Sequence, residues 1–221
     1  MSDQYVVYGA AGYGSVMVEA ALTLLNLPYR VVERKPDESA EDAEAMGALN
    51  PLRQVPALVT PAGELITESA AMLIWLADAH PQGRLAPALD APGRAQFLRW
   101  MAYVSAQIYA LYWIRDDPSR LAADKAHEAV IQARIVERIT HCWTQMEAQI
   151  APGRYLAGEA LSVLDLYVAV VSRWGPRRRR FYAVAPRMGE VVRRVDADPR
   201  LADFWAERFP FAAGWEDAPA A

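Results

Sequence analysis

A proline at the start of a β-prone run constrains the fold of this chain more than any other feature of its sequence. It lies in the stretch 50–69, which reads NPLRQVPALVTPAGELITES. Pro56 precedes the run 57–60, and a proline is tolerated as the first residue of a strand because its missing N–H is not needed there. A turn and a short strand, 64–66, follow, and Thr67 is predicted to open a helix. The pattern therefore predicts a hairpin that leads directly into a helix, with Pro56 in a structural role.

The same stretch carries groups suited to a small zwitterionic peptide. If the bond before Pro56 is cis, the backbone of Val55 turns outward and presents its N–H and C=O as an edge for an added strand. The first helical turn holds Glu68 and Ser69, where free N–H groups favour a carboxylate and the Glu68 carboxylate can receive an ammonium group. These features predict a site for a peptide with a free amino-acid end. The alternative is an ordinary proline-initiated hairpin followed by a capped helix.

The run NPLRQVPAL, followed by ES at the helix start, resembles the glutathione site of the glutathione S-transferase family. The resemblance implies that Val55 pairs with the cysteinyl backbone of glutathione and that Glu68 and Ser69 hold its γ-glutamyl end. It also makes Gln54 and Arg53 candidates near the glycyl carboxylate. Glutathione would then be a co-substrate.

A second motif lies in the other half of the chain. Ser162 and Asp165 have the spacing of a capping box, with Asp in place of Glu or Gln, at the start of an apolar run that reaches Trp174. A helix that is apolar all round belongs in the middle of its domain. The surrounding sequence GEALSVLDLYVA resembles the second-domain capping motif of the same family, so we expect both residues to be structural.

The order of predicted elements divides the chain into two domains. Strand, helix and strand at the N-terminus form a βαβ unit, which implies a parallel strand pair. Together with the family resemblance, the order β-α-β-α-β-β-α predicts a thioredoxin-like domain over residues 1–80. Residues 81–92 are predicted to be a linker, and residues 93–221 an all-helical domain that carries a pocket for a hydrophobic substrate. Its first long helix is predicted to bury one face, made of Phe97, Trp100, Met101, Val104, Ile108 and Leu111.

The group that ionises the thiol is the least specified part of the site. In the family, a hydroxyl or thiol in the loop after the first strand hydrogen-bonds the glutathione sulfur and so lowers the thiol pKa. The position that holds a serine in many relatives falls at or next to Gly12 and Tyr13, and neither is a serine. Three hydroxyls remain as candidates: Ser15, which is also a potential helix cap; Tyr13, which is also a potential lid; and Tyr8, which is also a potential core tyrosine. The backbone N–H groups of the glycine loop are a fourth alternative.

The substrate pocket is predicted on a second face of the first long helix, where Ser105, Tyr109, Tyr112 and Trp113 recur at helical spacing. An aromatic stripe is more often part of a core, but this helix already has a core face. The four consecutive arginines at 177–180 are interpreted either as a solvated surface or as a site for an anionic substrate or a partner subunit.

Composition limits the classes of protein to which this chain can belong. The chain has 221 residues, of which 53% are hydrophobic, and a formal net charge of −4, so it can bury a large core and has no electrostatic case for nucleic acid. Its single cysteine, Cys142, lies on an apolar helix face and is predicted to be inert. We expect a cytoplasmic protein with no membrane partner, because neither a signal peptide nor a membrane span is recognised. The three histidines, His80, His127 and His141, are not at ligand spacing, so no metal is expected.

These observations predict a glutathione transferase with a detoxification role, whose bound thiolate attacks a small hydrophobic electrophile, apolar or aromatic. The missing serine leaves two alternatives open. One is another glutathione-dependent reaction on the same fold, such as ether cleavage, isomerisation or disulfide reduction. The other is a binding protein without catalysis. A homodimer is implied by the family resemblance alone.

Overall fold

A four-stranded mixed sheet lies in the N-terminal part of the chain, in a computed structural model that describes residues 3–174, 177–211 and 214–216. Its order is β2-β1-β3-β4. The strands are β1 (Tyr5–Gly9), β2 (Tyr29–Glu33), β3 (Ala57–Val59) and β4 (Leu65–Ile66). β1 pairs with β2 in parallel, as the βαβ pattern predicts, while β1–β3 and β3–β4 are antiparallel.

Three helices accompany this sheet: α1 (Val16–Leu24), α2 (Ala40–Gly47) and α3 (Ser69–Ala79). The strand alternation turns Tyr5 and Val7 toward the main hydrophobic core, which they share with the buried faces of α1 and α3. The predicted thioredoxin-like layout is thereby confirmed.

The rest of the described chain is helical, and its only β pairing is an isolated bridge between Tyr155 and Gly158. The helices are α4 (Arg94–Tyr103), α5 (Ala110–Asp116), α6 (Lys125–Gln149), α7 (Val163–Val171), α8 (Arg177–Val184), α9 (Pro186–Asp196) and α10 (Ala202–Arg208). Every residue of α7 is buried, and this helix contacts α1, α3, α4 and α9. The predicted all-helical C-terminal region is confirmed, whereas the domain boundaries at residues 80 and 92 stay predictions.

A buried carboxylate fixes the start of α7. Asp165 is fully buried and accepts hydrogen bonds from the backbone N–H groups of Leu156 and Ser162 and from the Ser162 hydroxyl, each at 2.7 Å. Burial raises the pKa of Asp165 to about 6, although these three donors act in the opposite direction. The side chain therefore joins the loop before α7 to the first helical turn.

The first long helix is not continuous, which corrects its predicted core face. A π-helical segment, Val104–Tyr109, separates α4 from α5. Because a π turn contains one more residue than an α turn, the helix face shifts by one position beyond it. Tyr112 is consequently buried, with only 3% of its surface exposed, while the predicted core residue Leu111 is only partly buried.

Two predicted helix ends are also corrected. The helix expected to open at Thr67 begins at Ser69, because Glu68 adopts φ +65°, a left-handed conformation that an α-helix cannot contain. The apolar helix expected to reach Trp174 ends at Val171. Two side chains just beyond this end contact other loops: Arg173 binds the backbone at residues 209 and 210, and Trp174 binds the backbone at residue 12.

Candidate functional site

An open cleft of about 1410 Å³ lies between the loop after β1, the chain before β3, the start of α3 and the helices α5 and α7 with their flanking segments. It brings together all the residues predicted to bind the peptide: Arg53, Gln54, Val55, Glu68 and Ser69. The predicted pocket residues Tyr109, Tyr112 and Trp113 line the same cleft. So does Tyr13, one of the three candidate hydroxyls for the thiol. Ser15 and Tyr8 are not among its lining residues.

Val55 offers its main chain to this cleft. The Val55–Pro56 bond is cis, and β3 begins one residue later, at Ala57. Within the described residues, the backbone N–H and C=O of Val55 make no hydrogen bond. A residue whose backbone N–H and C=O are both free can hydrogen-bond the backbone of an extended peptide ligand.

The loop that carries Val55 is held by Asn50, a residue that the sequence analysis did not single out. The Asn50 side chain is buried, accepts a hydrogen bond from the Leu52 N–H at 3.0 Å and donates one to the Gln54 carbonyl oxygen at 3.0 Å. Its backbone carbonyl accepts the Arg53 N–H at 2.8 Å. An asparagine that begins a proline-rich turn is the signal by which this role is recognisable.

Two charged side chains that line the cleft make neither an ion pair nor a side-chain hydrogen bond within the described residues. Arg53 and Glu68 are exposed and lie on either side of Val55 in the chain, and both adopt left-handed backbone conformations, with φ +55° and φ +65°. Among the other charged side chains that line the cleft, Arg115 pairs with Asp116 at 2.8 Å and Arg120 pairs with Asp117 at 3.4 Å. Asp37 accepts a hydrogen bond from Tyr13, and Arg173 donates to two backbone carbonyl oxygens. Among the described residues of the cleft, Arg53 and Glu68 are therefore the cation and the anion that have no partner of their own and can bind a zwitterionic ligand.

Ser69 begins α3 and joins the two parts of the chain. It is buried, and its hydroxyl lies 3.2 Å from the Tyr167 hydroxyl of α7. Burial raises the pKa of Tyr167 to about 12, while hydrogen bonds with Ser105 and Ser69 oppose this shift. The first N–H groups of α3 lie at the cleft, where they can bind an anion.

Tyr13 directs its hydroxyl toward two acids. The phenol donates to Asp37 at 3.1 Å and to Glu38 at 2.9 Å. Burial raises the pKa of Tyr13, and the hydrogen bonds to Glu38 and Asp37 raise it further. The single phenolic proton is thus shared between two carboxylates.

Neither Ser15, which is buried, nor Tyr8, which is half-buried, lines the cleft. Ser15 precedes α1, has no exposed surface and donates its hydroxyl to the Ala10 carbonyl oxygen at 3.3 Å, so it does not cap the helix with its side chain. Its side chain lies directly against Gly9, where an added Cβ would approach the Ser15 Cβ to 2.1 Å. Tyr8 is paired between β2 and β3.

An aromatic wall closes the cleft on its helical side. The Tyr109 ring meets the Tyr167 ring edge-on, with a centroid separation of 6.0 Å, and lies 5.0 Å from the Trp174 ring. Trp174 itself donates its indole N–H to the Gly12 carbonyl oxygen at 2.9 Å. The sequence analysis did not assign Tyr167 or Trp174 to the site, because apolar helix residues and their neighbours read as core.

The other two predicted pocket aromatics divide between core and surface. Tyr112 is buried and donates its hydroxyl to the Val171 carbonyl oxygen at 3.2 Å, so only part of it borders the cleft. Trp113 is 45% exposed and stacks under the Arg120 guanidinium, 4.7 Å from its ring centroid. Trp113 is therefore the more accessible of the two to a substrate.

The interpretation of the arginine run as a solvated or ligand-binding surface is wrong for Arg178. This side chain is completely buried, forms an ion pair with Asp196 at 2.8 Å and donates to the Ala169 carbonyl oxygen at 2.6 Å. A buried guanidinium paired in this way serves the packing of α8 on α7 and α9. Arg179 is exposed, and the side chain of Arg177 lies outside the described residues.

Arg173 at the inner end of the cleft is a second buried cation. It stacks on Phe209 and Phe211, 3.5 Å and 4.0 Å from the ring centroids, and donates to the carbonyl oxygens of Phe209 and Pro210. Burial, together with repulsion from Arg178, lowers the pKa of Arg173 to about 9. Its contacts hold the segment that follows α10 against the fold.

In the described residues, no group of three or more His, Cys, Asp or Glu side chains is arranged to hold a metal ion. Cys142 is buried in the helical core. None of the helices that the structure describes is long and apolar enough to cross a membrane.

Comparisons with known proteins agree with this architecture. The model of the glutathione S-transferase N-terminal domain matches residues 15–79. The chain is 30% identical over 196 residues to the uncharacterized GST-like protein YncG of Escherichia coli K12, covering 88% of this chain and 94% of that protein. It is 32% identical over 152 residues to a maleylpyruvate isomerase from a Ralstonia species, covering 67% of this chain and 71% of that protein.

A structural comparison extends the similarity to nearly the whole chain. The crystal structure of a glutathione transferase homologue from Sulfitobacter, with bound glutathione, has a TM-score of 0.81 at 25% identity and covers 92% of this chain and 97% of that one. The chain belongs to the glutathione S-transferase family.

Proposed function

We propose that the cleft binds glutathione and that the enzyme promotes attack of its thiolate on a small apolar or aromatic electrophile. The observation that carries this proposal is the backbone of Val55, which makes no hydrogen bond within the described residues and lies in the chain between Arg53 and Glu68, a cation and an anion that have no partner there either. Glutathione is a zwitterion with a central amide-flanked cysteine, so it matches this order of groups.

Each part of the ligand has a counterpart in the cleft. The cysteinyl amide pairs with the N–H and C=O of Val55 as an added strand. The α-carboxylate of the γ-glutamyl end binds the first N–H groups of α3, and its ammonium group binds Glu68. The glycyl carboxylate faces Arg53, with Gln54 beside it. The bound glutathione present in the similar Sulfitobacter protein supports this assignment.

Two aromatic side chains of the cleft provide the surface that binds the second substrate. Trp113, with 45% of its surface exposed, and the ring of Tyr109 border the same open space as the glutathione groups. Flat apolar compounds gain both buried area and ring stacking there. Attack by the thiolate forms a C–S bond, and the displaced group leaves with the electron pair of the bond that breaks.

A glutathione-dependent isomerase is the second candidate, and the 32% identity to a maleylpyruvate isomerase supports it. In such a reaction the thiolate adds to an activated double bond, the remaining single bond rotates, and the thiolate is expelled. Glutathione is regenerated, so the two candidates differ in stoichiometry.

Two measurements test these proposals. Titration calorimetry with glutathione in the millimolar range tests binding, and a lack of binding would exclude both candidates. Chlorodinitrobenzene, maleylpyruvate, an aryl ether and a disulfide are then offered with glutathione, and thiol consumption is followed. Consumption of one thiol per product formed supports the transferase, whereas turnover of maleylpyruvate without thiol loss supports the isomerase. Binding without any turnover would indicate a binding protein. Sedimentation of the purified chain tests the proposed homodimer.

A further inference from the structure

We propose that Tyr109, a residue of the helical region, is the hydroxyl that hydrogen-bonds and stabilises the glutathione thiolate. This inference rests on the proposed function. It replaces the glycine loop as the source of the activating group.

The first argument is the place of the Tyr109 hydroxyl. An alanine Cβ at position 14 would lie 1.9 Å from this oxygen and 3.4 Å from Cδ of Pro56. The hydroxyl, the glycine and the proline after Val55 therefore meet at one corner of the cleft. A cysteinyl residue paired with the backbone of Val55 would lie next to this corner, because paired strands run only about 4.8 Å apart and Pro56 directly follows Val55.

The second argument is that this hydroxyl is free. Within the described residues it makes no hydrogen bond, and Tyr109 lines the cleft. The three hydroxyls expected from the sequence are placed differently. Tyr13 donates to Asp37 and Glu38, Ser15 donates to Ala10 without reaching the cleft, and Tyr8 does not line it.

The third argument is that the phenol is held in place. Its ring lies between Tyr167, whose hydroxyl contacts Ser69, and Trp174, whose indole is bonded to Gly12. A donor fixed before the reaction stabilises a developing anion without further reorganisation. Tyr109 is also the last residue of the π-helical segment, which orients this position toward the cleft and Tyr112 toward the core.

The proton inventory is simple. Ionisation of glutathione breaks its S–H bond and leaves the electron pair on sulfur, and the proton passes to water in the open cleft. Burial raises the pKa of Tyr109, and the negative charge of Glu68 is among the smaller contributions in the same direction. The phenol consequently keeps its own proton and acts only as a hydrogen-bond donor.

The test is the pKa of the bound thiol, measured by thiolate absorbance during a pH titration of the complex. A free cysteine thiol has a pKa of about 8.5, and we expect the glutathione thiol in the wild-type complex to titrate well below this value. Tyr109→Phe should bind glutathione with an affinity within about threefold of wild type. At any one pH below the thiol pKa, however, the fraction of bound glutathione that is thiolate should fall by about 100-fold, because one preorganised hydrogen-bond donor is lost. The rate constant kcat should fall in parallel, and its pH profile should move to higher pH.

Tyr103→Phe is the matched control, because Tyr103 lies on the same long helix and donates its hydroxyl to the Cys142 carbonyl oxygen, outside the cleft. It should leave the thiol pKa unchanged. An unchanged thiol pKa in Tyr109→Phe would overturn the inference, and so would finding the large shift in Tyr13→Phe or Ser15→Ala instead. If wild type failed to bind glutathione, the proposed function itself would fall, which the binding step reveals separately.

Discussion

Trp174 donates its indole N–H to the carbonyl oxygen of Gly12 at 2.9 Å, across 162 positions of sequence. The neighbouring N–H of Gly12 donates to the Arg208 carbonyl oxygen at 2.9 Å, and the Arg208 guanidinium is paired with the buried Glu19 of α1 at 2.6 Å. The helical region thus holds the glycine loop at both the N–H and the C=O of Gly12. Part of the proposed site depends on contacts made by the last third of the chain.

Removal of the indole donor should loosen this loop. For Trp174→Phe we expect the free energy of unfolding to fall by about 1–2 kcal/mol, because the Gly12 carbonyl loses its hydrogen-bond donor and the ring contacts shrink. Glutathione affinity should fall by about fivefold, since the loop borders the ligand. Denaturant titration and calorimetry measure these effects. Trp75→Phe, outside the cleft, is the control and should leave affinity unchanged.

The two unpaired charges should affect ligand binding but not folding. Glu68→Gln and Arg53→Gln are each expected to weaken glutathione binding by about tenfold, which is the lower end of the effect of a hydrogen bond to a charged group. Their unfolding free energies should stay within about 0.5 kcal/mol of wild type, because both side chains are exposed and have no partner among the described residues. The exposed residues Glu64 and Arg84 provide matched controls as Glu64→Gln and Arg84→Gln. An equal loss of affinity in these controls would show that only net charge matters.

Gly14 should be intolerant of a side chain for a specific reason. In Gly14→Ala the new Cβ would meet the Tyr109 hydroxyl oxygen at 1.9 Å and the ring carbon that carries it at 3.0 Å, so the phenol must move. We expect this variant to lower the bound thiolate fraction about as much as Tyr109→Phe. Since both changes remove the same hydrogen bond, the double variant should lose little more than either single variant. Fully additive losses in this double-mutant cycle would contradict a shared cause.

The fold and the local structure of residues 50–69 could be predicted from sequence because their determinants are local. Turn residues, a proline before a strand and a capping box each act over a few positions, and 50–69 and 162–165 contain them all. The start of α3 next to Glu68 is predicted less exactly. A residue with positive φ before a helix has no strong sequence signal unless it is glycine or asparagine.

The thiol donor could not be predicted in the same way. Tyr109 is 95 positions from Gly14 in sequence, and its orientation depends on the π-helical segment Val104–Tyr109, which a regular 3.6-residue period does not anticipate. The same register shift explains why Tyr112, rather than Leu111, is in the core. Arg178 illustrates a further limit, because four consecutive arginines give no indication that one of them is buried against Asp196.

The arginine run offers an internal comparison of buried and exposed charge. Arg178→Gln should lower the free energy of unfolding by about 3–5 kcal/mol, because it leaves Asp196 without its buried partner. Arg179→Gln, one residue away on the exposed side, should change it by less than about 0.5 kcal/mol. Thermal or denaturant unfolding of the two variants separates these expectations. Similar small effects in both would mean that the Arg178–Asp196 pair contributes little to stability.

The most direct test of the proposed binding mode is amide hydrogen exchange at Val55, followed by nuclear magnetic resonance with and without glutathione. The Val55 N–H has no hydrogen-bond partner within the described residues, so it should exchange rapidly in the free protein. We predict that saturation with glutathione slows its exchange by about 100-fold or more, while the exposed tip of the β3–β4 turn at Gly63 is unaffected. Glutathione binding that leaves Val55 exchange unchanged would contradict the account.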